Sequence, residues 1–219
     1  HMPVRLLFGP GKFALLGAEA ARYGKKALIV TGSSAKRNGL LAKAIDLLTQ
    51  RGVETALFDR VEPNPLTTTV EAGAALAKAI GAELVVGLGG GSALDTAKGI
   101  ALMACNEGDV SDYIFGRSEG KTALPLVLVP TTCGTGSEGN HFAVLTNPAT
   151  GDKKSLRCEP IYARVAIVDP ELMMTMPTAV AASVGFDALS HNMEAYYAKA
   201  AQPLTDDMAL HGIGLLVAS

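Results

Sequence analysis

The chain has 219 residues, of which 48% are hydrophobic and 18% charged. This is long enough for one large domain, or for one domain and part of another, and hydrophobic enough for a sizeable buried core. The 19 basic and 21 acidic residues leave a formal net charge of -2. A charge so close to balance gives no electrostatic reason to expect nucleic acid or an anionic membrane as a partner.

The cysteines and the apolar runs of the sequence indicate the cellular compartment. Cys105, Cys133 and Cys158 show neither CxxC spacing nor a disulfide framework, which is typical of a reducing compartment. We interpret His1-Met2 as the remnant of a cleaved tag and expect no signal peptide after it. No apolar run is long enough to span a bilayer. We therefore expect a cytoplasmic protein.

Strand-like and helix-like segments alternate in the first 130 residues. The apolar, β-rich runs predict strands at 25–31, 53–61, 83–88 and 124–129. Helical spacing of apolar residues predicts helices at 38–50, 67–80 and 93–104. Continuous apolar strands that alternate with helices are typical of a parallel sheet covered on both faces. The predicted fold class is α/β, with a Rossmann-like, mostly parallel sheet.

The pattern changes beyond residue 135. Two more strands are predicted at 141–146 and 164–169, around a polar turn at 147–154. After Pro170 the sequence predicts only helices, at 171–176, 178–197 and 204–217. We therefore place a domain boundary near residue 176, with an α/β domain over 3–176 and the beginning of an all-helical domain over 177–219.

A glycine-rich segment, VVGLGGGSALDTAK at 85–98, follows the third predicted strand. Ligands in open parallel sheets sit beyond the carboxyl ends of the strands. There, Gly89, Gly90 and Gly91 would let the backbone approach a pyrophosphate, with N–H groups at the following helix start pointing at it. Ser92 adds a hydroxyl donor, and Asp95 faces the same pocket one turn later. The alternative is that the glycines merely make a tight strand-to-helix turn.

Two further motifs carry polar side chains that suit a ligand site. PTTCGTGSE at 130–138 follows the fourth predicted strand. Because the two loops follow neighbouring strands, we expect this segment and the glycine run to form a cradle for a dinucleotide. The alternative is a solvated loop. In GFDALSHNMEAY at 185–196, Asp187 and His191 are four residues apart on a predicted helix. That spacing lets both side chains reach one divalent ion, although a surface ion pair is the simpler interpretation.

These three motifs, in this order, together with Pro63-Asn64-Pro65, resemble the iron-containing (group III) alcohol dehydrogenases from about Phe8 to the last helix. The resemblance makes 3–176 a dinucleotide-binding domain and 177–219 the start of a metal-binding one. It implies an NAD(P)-dependent hydride transfer between an alcohol and an aldehyde or ketone. The metal, Fe2+ or Zn2+, would polarise the substrate oxygen.

The resemblance also implies roles for individual residues. Gly91 and Ser92 would hold the pyrophosphate, and Asp95 and Asn64 would line the nicotinamide and ribose end. Three threonines, Thr131, Thr132 and Thr135, would contact the cofactor from the second loop. Lys154 would reach the ribose or a phosphate. Asp187 and His191 would be two of the metal ligands. Members usually add two histidines from later helices, whereas this sequence ends at Ser219, so it supplies half of a metal site.

Gly32 stands where many members carry an aspartate that binds the adenosine ribose and repels a 2′-phosphate. Ser33 and Ser34 follow as hydroxyl donors, with the cations Lys36 and Arg37 close behind. We therefore expect NADP(H) to be preferred over NAD(H), with NAD(H) as the alternative cofactor. The competing interpretation is a simple polar loop with both cations in water.

Two other functions stay open on the sequence alone. The chain could be a cofactor-binding or assembly module without turnover, because its metal site is incomplete. It could also be an oxoacid or polyol reductase on the same fold. The resemblance further implies a homo-oligomer, at least a dimer.

Overall fold

The structure is a computed structural model that describes residues 3–218. His1 and Met2, attributed above to a tag, lie outside the described residues, as does Ser219. The strands are β1 Arg5–Phe8, β2 Lys26–Thr31, β3 Glu54–Phe58, β4 Leu84–Gly89, β5 Leu126–Pro130, β6 Phe142–Thr146, β7 Lys153–Arg157 and β8 Val165–Val168. The α-helices are α1 Leu16–Ala20, α2 Ser33–Arg37, α3 Leu40–Thr49, α4 Thr67–Ile80, α5 Gly91–Cys105, α6 Val110–Ile114, α7 Thr178–Tyr197 and α8 Pro203–Ala218.

Six strands form one all-parallel sheet in the order β1-β8-β5-β4-β2-β3. Alternate residues of the central strands enter different apolar clusters: Leu28 and Val85 join one, whereas Ile29 and Val86 join the other. Side chains of a strand alternate between its two faces, so the sheet buries both faces. The predicted Rossmann-like α/β class is confirmed.

The second, smaller sheet differs from the sequence prediction. The two strands expected around a polar turn both form, as β6 and β8, but they do not pair with each other. β6 pairs antiparallel with β7, whereas β8 lies between β1 and β5 in the main sheet. The turn is therefore shorter than predicted, since Thr146 already pairs with Lys153. The strand Lys153–Arg157 was missed because it is largely polar and lacks an apolar run.

The chain folds into two compact units. The first contains the residues up to Thr131 together with Ser137–Leu172; the second contains Thr132–Gly136 and the residues from Met173 onward. The chain thus changes unit close to the predicted boundary, but the loop 132–136 groups with the helices. The assignment of a cofactor domain to 3–176 and a metal domain to 177–219 stays a prediction.

The second unit is built on α7 and α8, as predicted from the sequence after Pro170. The first of the helices predicted after Pro170, at 171–176, is only a 3-10 turn, Pro170–Met173. Most of that turn belongs to the first unit. α7 has no buried residue, and Phe186 and Tyr197 are among its exposed apolar side chains. None of the helices within residues 3–218 is both long and apolar enough to cross a membrane.

Candidate active site

The glycine-rich loop joins β4 to the N-terminus of α5 at the carboxyl edge of the main sheet. Gly89 has φ +150°, which side chains rarely tolerate, and an added Cβ would lie 2.8 Å from the Cβ of Ala93. Gly90 then caps the 15-residue helix α5, which begins at Gly91. The first N–H groups of a helix have no partner within it, and they favour an anion. Gly90, Gly91 and Ser92 are half-buried, so a ligand can reach them.

The threonine-rich loop starts beside the glycine-rich loop. β4 and β5 are parallel neighbours, and the Thr131 N–H donates to the Gly89 carbonyl over 2.9 Å. Of the three predicted threonines, the first unit holds Thr131, whereas Thr132 and Thr135 belong to the second. Within the second unit, Gly134 has φ +159°, and a Cβ there would lie 2.6 Å from the Val184 carbonyl oxygen of α7.

Asp95, predicted to line the nicotinamide end, is engaged by its own chain. One carboxylate oxygen accepts a hydrogen bond from the Ser137 hydroxyl at 2.6 Å, and the other accepts from the Val144 N–H at 3.0 Å. Burial raises the pKa of Asp95, although both hydrogen bonds oppose that shift. Asp95 therefore ties α5 to β6.

Lys98 is the main residue that the sequence analysis missed as an individual, although it ends the glycine-rich motif. Its side chain is completely buried. Nζ donates to the Ser137 hydroxyl at 2.9 Å, the Asn140 side-chain oxygen at 3.0 Å and the Phe142 carbonyl at 2.7 Å. Burial lowers the pKa of Lys98 to about 8, against the pull of the Asp95 and Glu138 carboxylates. One ammonium thus holds residues 137–142, which lead into β6.

The neighbouring lysines Lys153 and Lys154 have different partners, and Lys153 is the one that contacts Asn64. Asn64 has φ 55° in the Pro-Asn-Pro turn, a left-handed conformation that asparagine tolerates. Its side-chain oxygen accepts a hydrogen bond from Lys153 Nζ at 2.8 Å. Lys154 Nζ lies 4.3 Å from the centroid of the Phe115 ring, because successive residues of a strand point to opposite faces. The predicted contact of Lys154 with a ribose or phosphate stays a prediction.

The segment after β2 carries the residues expected at the adenosine ribose. Gly32 is extended, with φ -101° and ψ -179°, and an added Cβ would meet only the Val61 carbonyl oxygen at 3.4 Å. Ser33 and Ser34 open the short helix α2. Both cations there have partners within the chain: Lys36 pairs with Asp59, and Arg37 donates to the Ser33 hydroxyl at 2.8 Å.

Asp187 and His191 lie one turn apart on α7, with Oδ1 and Nε2 separated by 3.9 Å. Two donors about 2.1 Å from one ion are roughly 3 to 4 Å apart, so the pair fits a shared metal. His191 Nδ1 lies 3.2 Å from the Gly134 carbonyl. A carbonyl only accepts, so Nδ1 donates this hydrogen bond, and Nε2 is the ring nitrogen on the side of Asp187. No group of three or more His, Cys, Asp or Glu residues that could hold a metal forms within residues 3–218.

Comparison with known proteins agrees with this architecture of a parallel sheet with loops at its carboxyl edge, followed by helices. The family model "Iron-containing alcohol dehydrogenase" matches residues 3–170, and the model of that family's C-terminal domain matches residues 181–219. The chain belongs to the iron-containing alcohol dehydrogenase family.

Similar proteins include alcohol dehydrogenases with different named substrates. The chain is 41% identical over 192 residues to alcohol dehydrogenase 4 of Saccharomyces cerevisiae, covering 88% of this chain and 50% of the relative. It is 39% identical over 216 residues to the NAD-dependent methanol dehydrogenase of Bacillus methanolicus, covering 98% and 57%. The chain therefore spans about half the length of the curated relatives it matches.

Solved structures match over the whole chain. NADH-dependent butanol dehydrogenase A of Thermotoga maritima superposes with a TM-score of 0.94 at 33% identity, covering 100% of this chain and 55% of that one. Sulfoacetaldehyde reductase of Bifidobacterium kashiwanohense, solved in complex with NAD+, gives 0.92 at 33% identity, covering 99% and 57%.

Proposed function

We propose that this chain forms the cofactor-binding part of an NAD(P)-dependent oxidoreductase that interconverts an alcohol and an aldehyde or ketone by hydride transfer, assisted by a metal. The observation that carries the proposal is the β4–loop–α5 unit with Thr131 beside it. It presents the first N–H groups of a 15-residue helix, on half-buried residues, at the carboxyl edge of a parallel sheet. Family membership supports the reaction class, because several relatives are named as NAD- or NADH-dependent dehydrogenases.

The cofactor is proposed to lie with its pyrophosphate against Gly89, Gly90, Gly91 and Ser92. Asn64 would contact the ribose of the nicotinamide half, and Lys153 would join it there because the two side chains form a hydrogen bond. Lys154 would reach the ribose or the phosphate, as the sequence predicts. Asp95 would face the same end while it holds β6. Thr131, Thr132 and Thr135 would contribute hydroxyl groups from the second loop.

Asp187 and His191 are proposed as two ligands of a divalent ion, Fe2+ or Zn2+. When bound, the ion would polarise the substrate oxygen as a Lewis acid. The Gly134 carbonyl fixes the imidazole so that Nε2 faces the same side as the Asp187 carboxylate. This orientation by a backbone acceptor is typical of metal-binding histidines.

The test of cofactor placement is NADH and NADPH titration of Gly91→Val, followed by cofactor fluorescence. A side chain at the first residue of α5 should block the pyrophosphate, and loss of its hydrogen bonds weakens binding by roughly ten- to a hundredfold. Gly214→Val on α8 is the matched control, because a Cβ there meets nothing within 4 Å. Unchanged affinity in Gly91→Val, with its circular dichroism intact, contradicts the placement.

The second candidate is a cofactor-binding or assembly module without turnover, favoured by the two-residue metal pair among the described residues. An assay with short alcohols and NAD(P)+ in the presence of added Fe2+ or Zn2+ separates the candidates. Tight cofactor binding with no turnover supports the module. Turnover supports the dehydrogenase, and comparing alcohols with hydroxy acids and polyols then tests the related reductase alternative. Light scattering would test the proposed homo-oligomer.

A further inference from the structure

An ion pair stands beside the segment proposed to bind the adenosine ribose. β2 and β3 are parallel neighbours, with Val30 opposite Phe58, so the residues that follow the two strands leave the sheet side by side. Asp59 directly follows β3, and its carboxylate accepts a hydrogen bond from Lys36 Nζ of α2. This bond lowers the pKa of Asp59, so the carboxylate is ionised at neutral pH.

The ion pair changes the charge that a 2′-phosphate would meet. Gly32 removes the carboxylate from the end of β2, but Asp59 supplies one from the neighbouring strand. Lys36 is the cation one helical turn beyond Gly32, and its ammonium already has an anionic partner. Arg37 is held by the Ser33 hydroxyl. A 2′-phosphate would therefore meet a Lys36 ammonium that is already paired, and it would be repelled by the negative charge of the Asp59 carboxylate.

We propose that Asp59 is a specificity-determining residue for the cofactor: by holding Lys36 and opposing a 2′-phosphate, it limits the preference for NADP(H) that Gly32 allows. The inference rests on the proposed function, since it assumes that a nicotinamide cofactor binds along this edge. Asp59 acts on the 2′-phosphate, which NADP(H) carries and NAD(H) lacks. Removal of the Asp59 carboxylate should therefore change the affinity for NADP(H) and leave the affinity for NAD(H) nearly unchanged.

The substitution Asp59→Asn keeps the size of the side chain and removes its charge. It frees Lys36 and removes the repulsion between the carboxylate and the 2′-phosphate. The affinity for NADPH should therefore rise about three- to tenfold, whereas the affinity for NADH should change by less than about twofold. In the double variant Asp59→Asn/Lys36→Gln the gain for NADPH should disappear. The gain should also shrink as salt is raised, because both groups are partly exposed and screened by ions.

The matched control is Asp112→Asn, which breaks another partly exposed pair, Arg117–Asp112, with the same change in net charge. It should leave the NADPH-to-NADH ratio of dissociation constants unchanged. An equal gain in the control would show a general charge effect and overturn the inference. An unchanged ratio in Asp59→Asn, in a protein that binds both cofactors, overturns the role of Asp59 alone. If the wild type binds neither cofactor, the proposed function falls and this inference with it.

Discussion

Single side chains at this edge of the sheet are constrained by partners far away in the sequence. Ser137 accepts from Lys98 and donates to Asp95, so one hydroxyl links an ammonium and a carboxylate on α5 to a distant loop. Each partner satisfies a polar group that would otherwise be buried without one. The hydrogen bonds of Ser137 thus fix α5 to the segment that leads into β6 without any ligand.

Gly32 offers a test of cofactor choice at the residue scale. Its extended backbone and open Cβ direction mean that Gly32→Asp can fold without strain. The new carboxylate would repel a 2′-phosphate and accept from ribose hydroxyls, so the ratio of the NADPH to the NADH dissociation constant should rise at least about tenfold. Fluorescence titration at one low ionic strength measures both constants. Tighter binding of NADH than of NADPH to the wild type would count against a preference for NADP(H).

The register of Lys153 and Lys154 shows where residue-scale prediction from sequence stops. Either lysine suits the motif, and a shift of one residue along a strand moves the side chain to the other face. Only the pairing of β6 with β7 decides that Lys153 meets Asn64. Lys98 was missed for a related reason: its three acceptors lie 39 to 44 residues away in the sequence, and no local pattern points to them.

At the scale of elements, all six strands predicted from the sequence formed, and apolar runs are the signal that most of them share. The completely buried strands β4 and β5 are recognisable from composition. β1 and β7 are not, because each is short and mostly exposed, and their pairing depends on neighbours remote in sequence. Helices α4 and α7 match their predicted bounds, since helical periodicity and the cap residues Gly81 and Pro177 are local signals.

The contact between α5 and the β5–β6 segment predicts a pH-dependent stability. Lys98 has a pKa of about 8 in the fold, against 10.5 as the ordinary value. Between these two pH values the unfolded chain binds a proton that the folded chain has lost, so the free energy of unfolding rises with pH. The rise attributable to Lys98 is about 3 kcal/mol, at about 1.4 kcal/mol per pKa unit.

Urea unfolding at pH 7.5 to 10.5, a range that spans these pKa values, on wild type and on Lys98→Met isolates this contribution. Every other titrating group is common to both proteins, so the difference between their pH slopes belongs to Lys98. We expect the wild type to gain stability relative to Lys98→Met across this window. Parallel curves would show that Lys98 titrates near its ordinary pKa in the fold.

The contact of the loop 132–136 with α7 predicts a cost for any side chain at Gly134. Both the positive φ and the 2.6 Å approach of a Cβ to the Val184 carbonyl oppose Gly134→Ala. We expect a loss of roughly 1 to 3 kcal/mol in the free energy of unfolding. Gly185→Ala, on α7 with no atom within 4 Å of its Cβ, should be neutral or slightly stabilising. Equal effects in the two variants would contradict the strained geometry.

At the scale of the whole molecule, most of the proposed cofactor residues lie in the first unit, whereas Thr132, Thr135 and the proposed metal pair lie in the second. The main sheet, with the β4–α5 loop, belongs to the first unit, whereas Asp187, His191 and the loop 132–136 belong to the second. The sequence analysis placed a domain boundary near residue 176 from the loss of strands, and that boundary stays a prediction. The sequence could not predict that the loop 132–136 would group with the helices, because that depends on the close approach of Gly134 to Val184.

Metal retention after dialysis tests whether Asp187 and His191 alone can hold a metal ion. Metal sites that hold an ion firmly use three or four protein ligands, and the described residues bring together only Asp187 and His191. After loading with Fe2+ or Zn2+ and exhaustive dialysis, we therefore expect much less than one ion per chain by elemental analysis. Weak binding before dialysis should be lost in His191→Ala, because Nε2 is the donor that the Gly134 carbonyl orients. His211→Ala, on α8, is the matched control and should bind like the wild type. If instead the chain keeps one ion through dialysis and loses it in His211→Ala, then His211 completes the site and the two-ligand description is wrong.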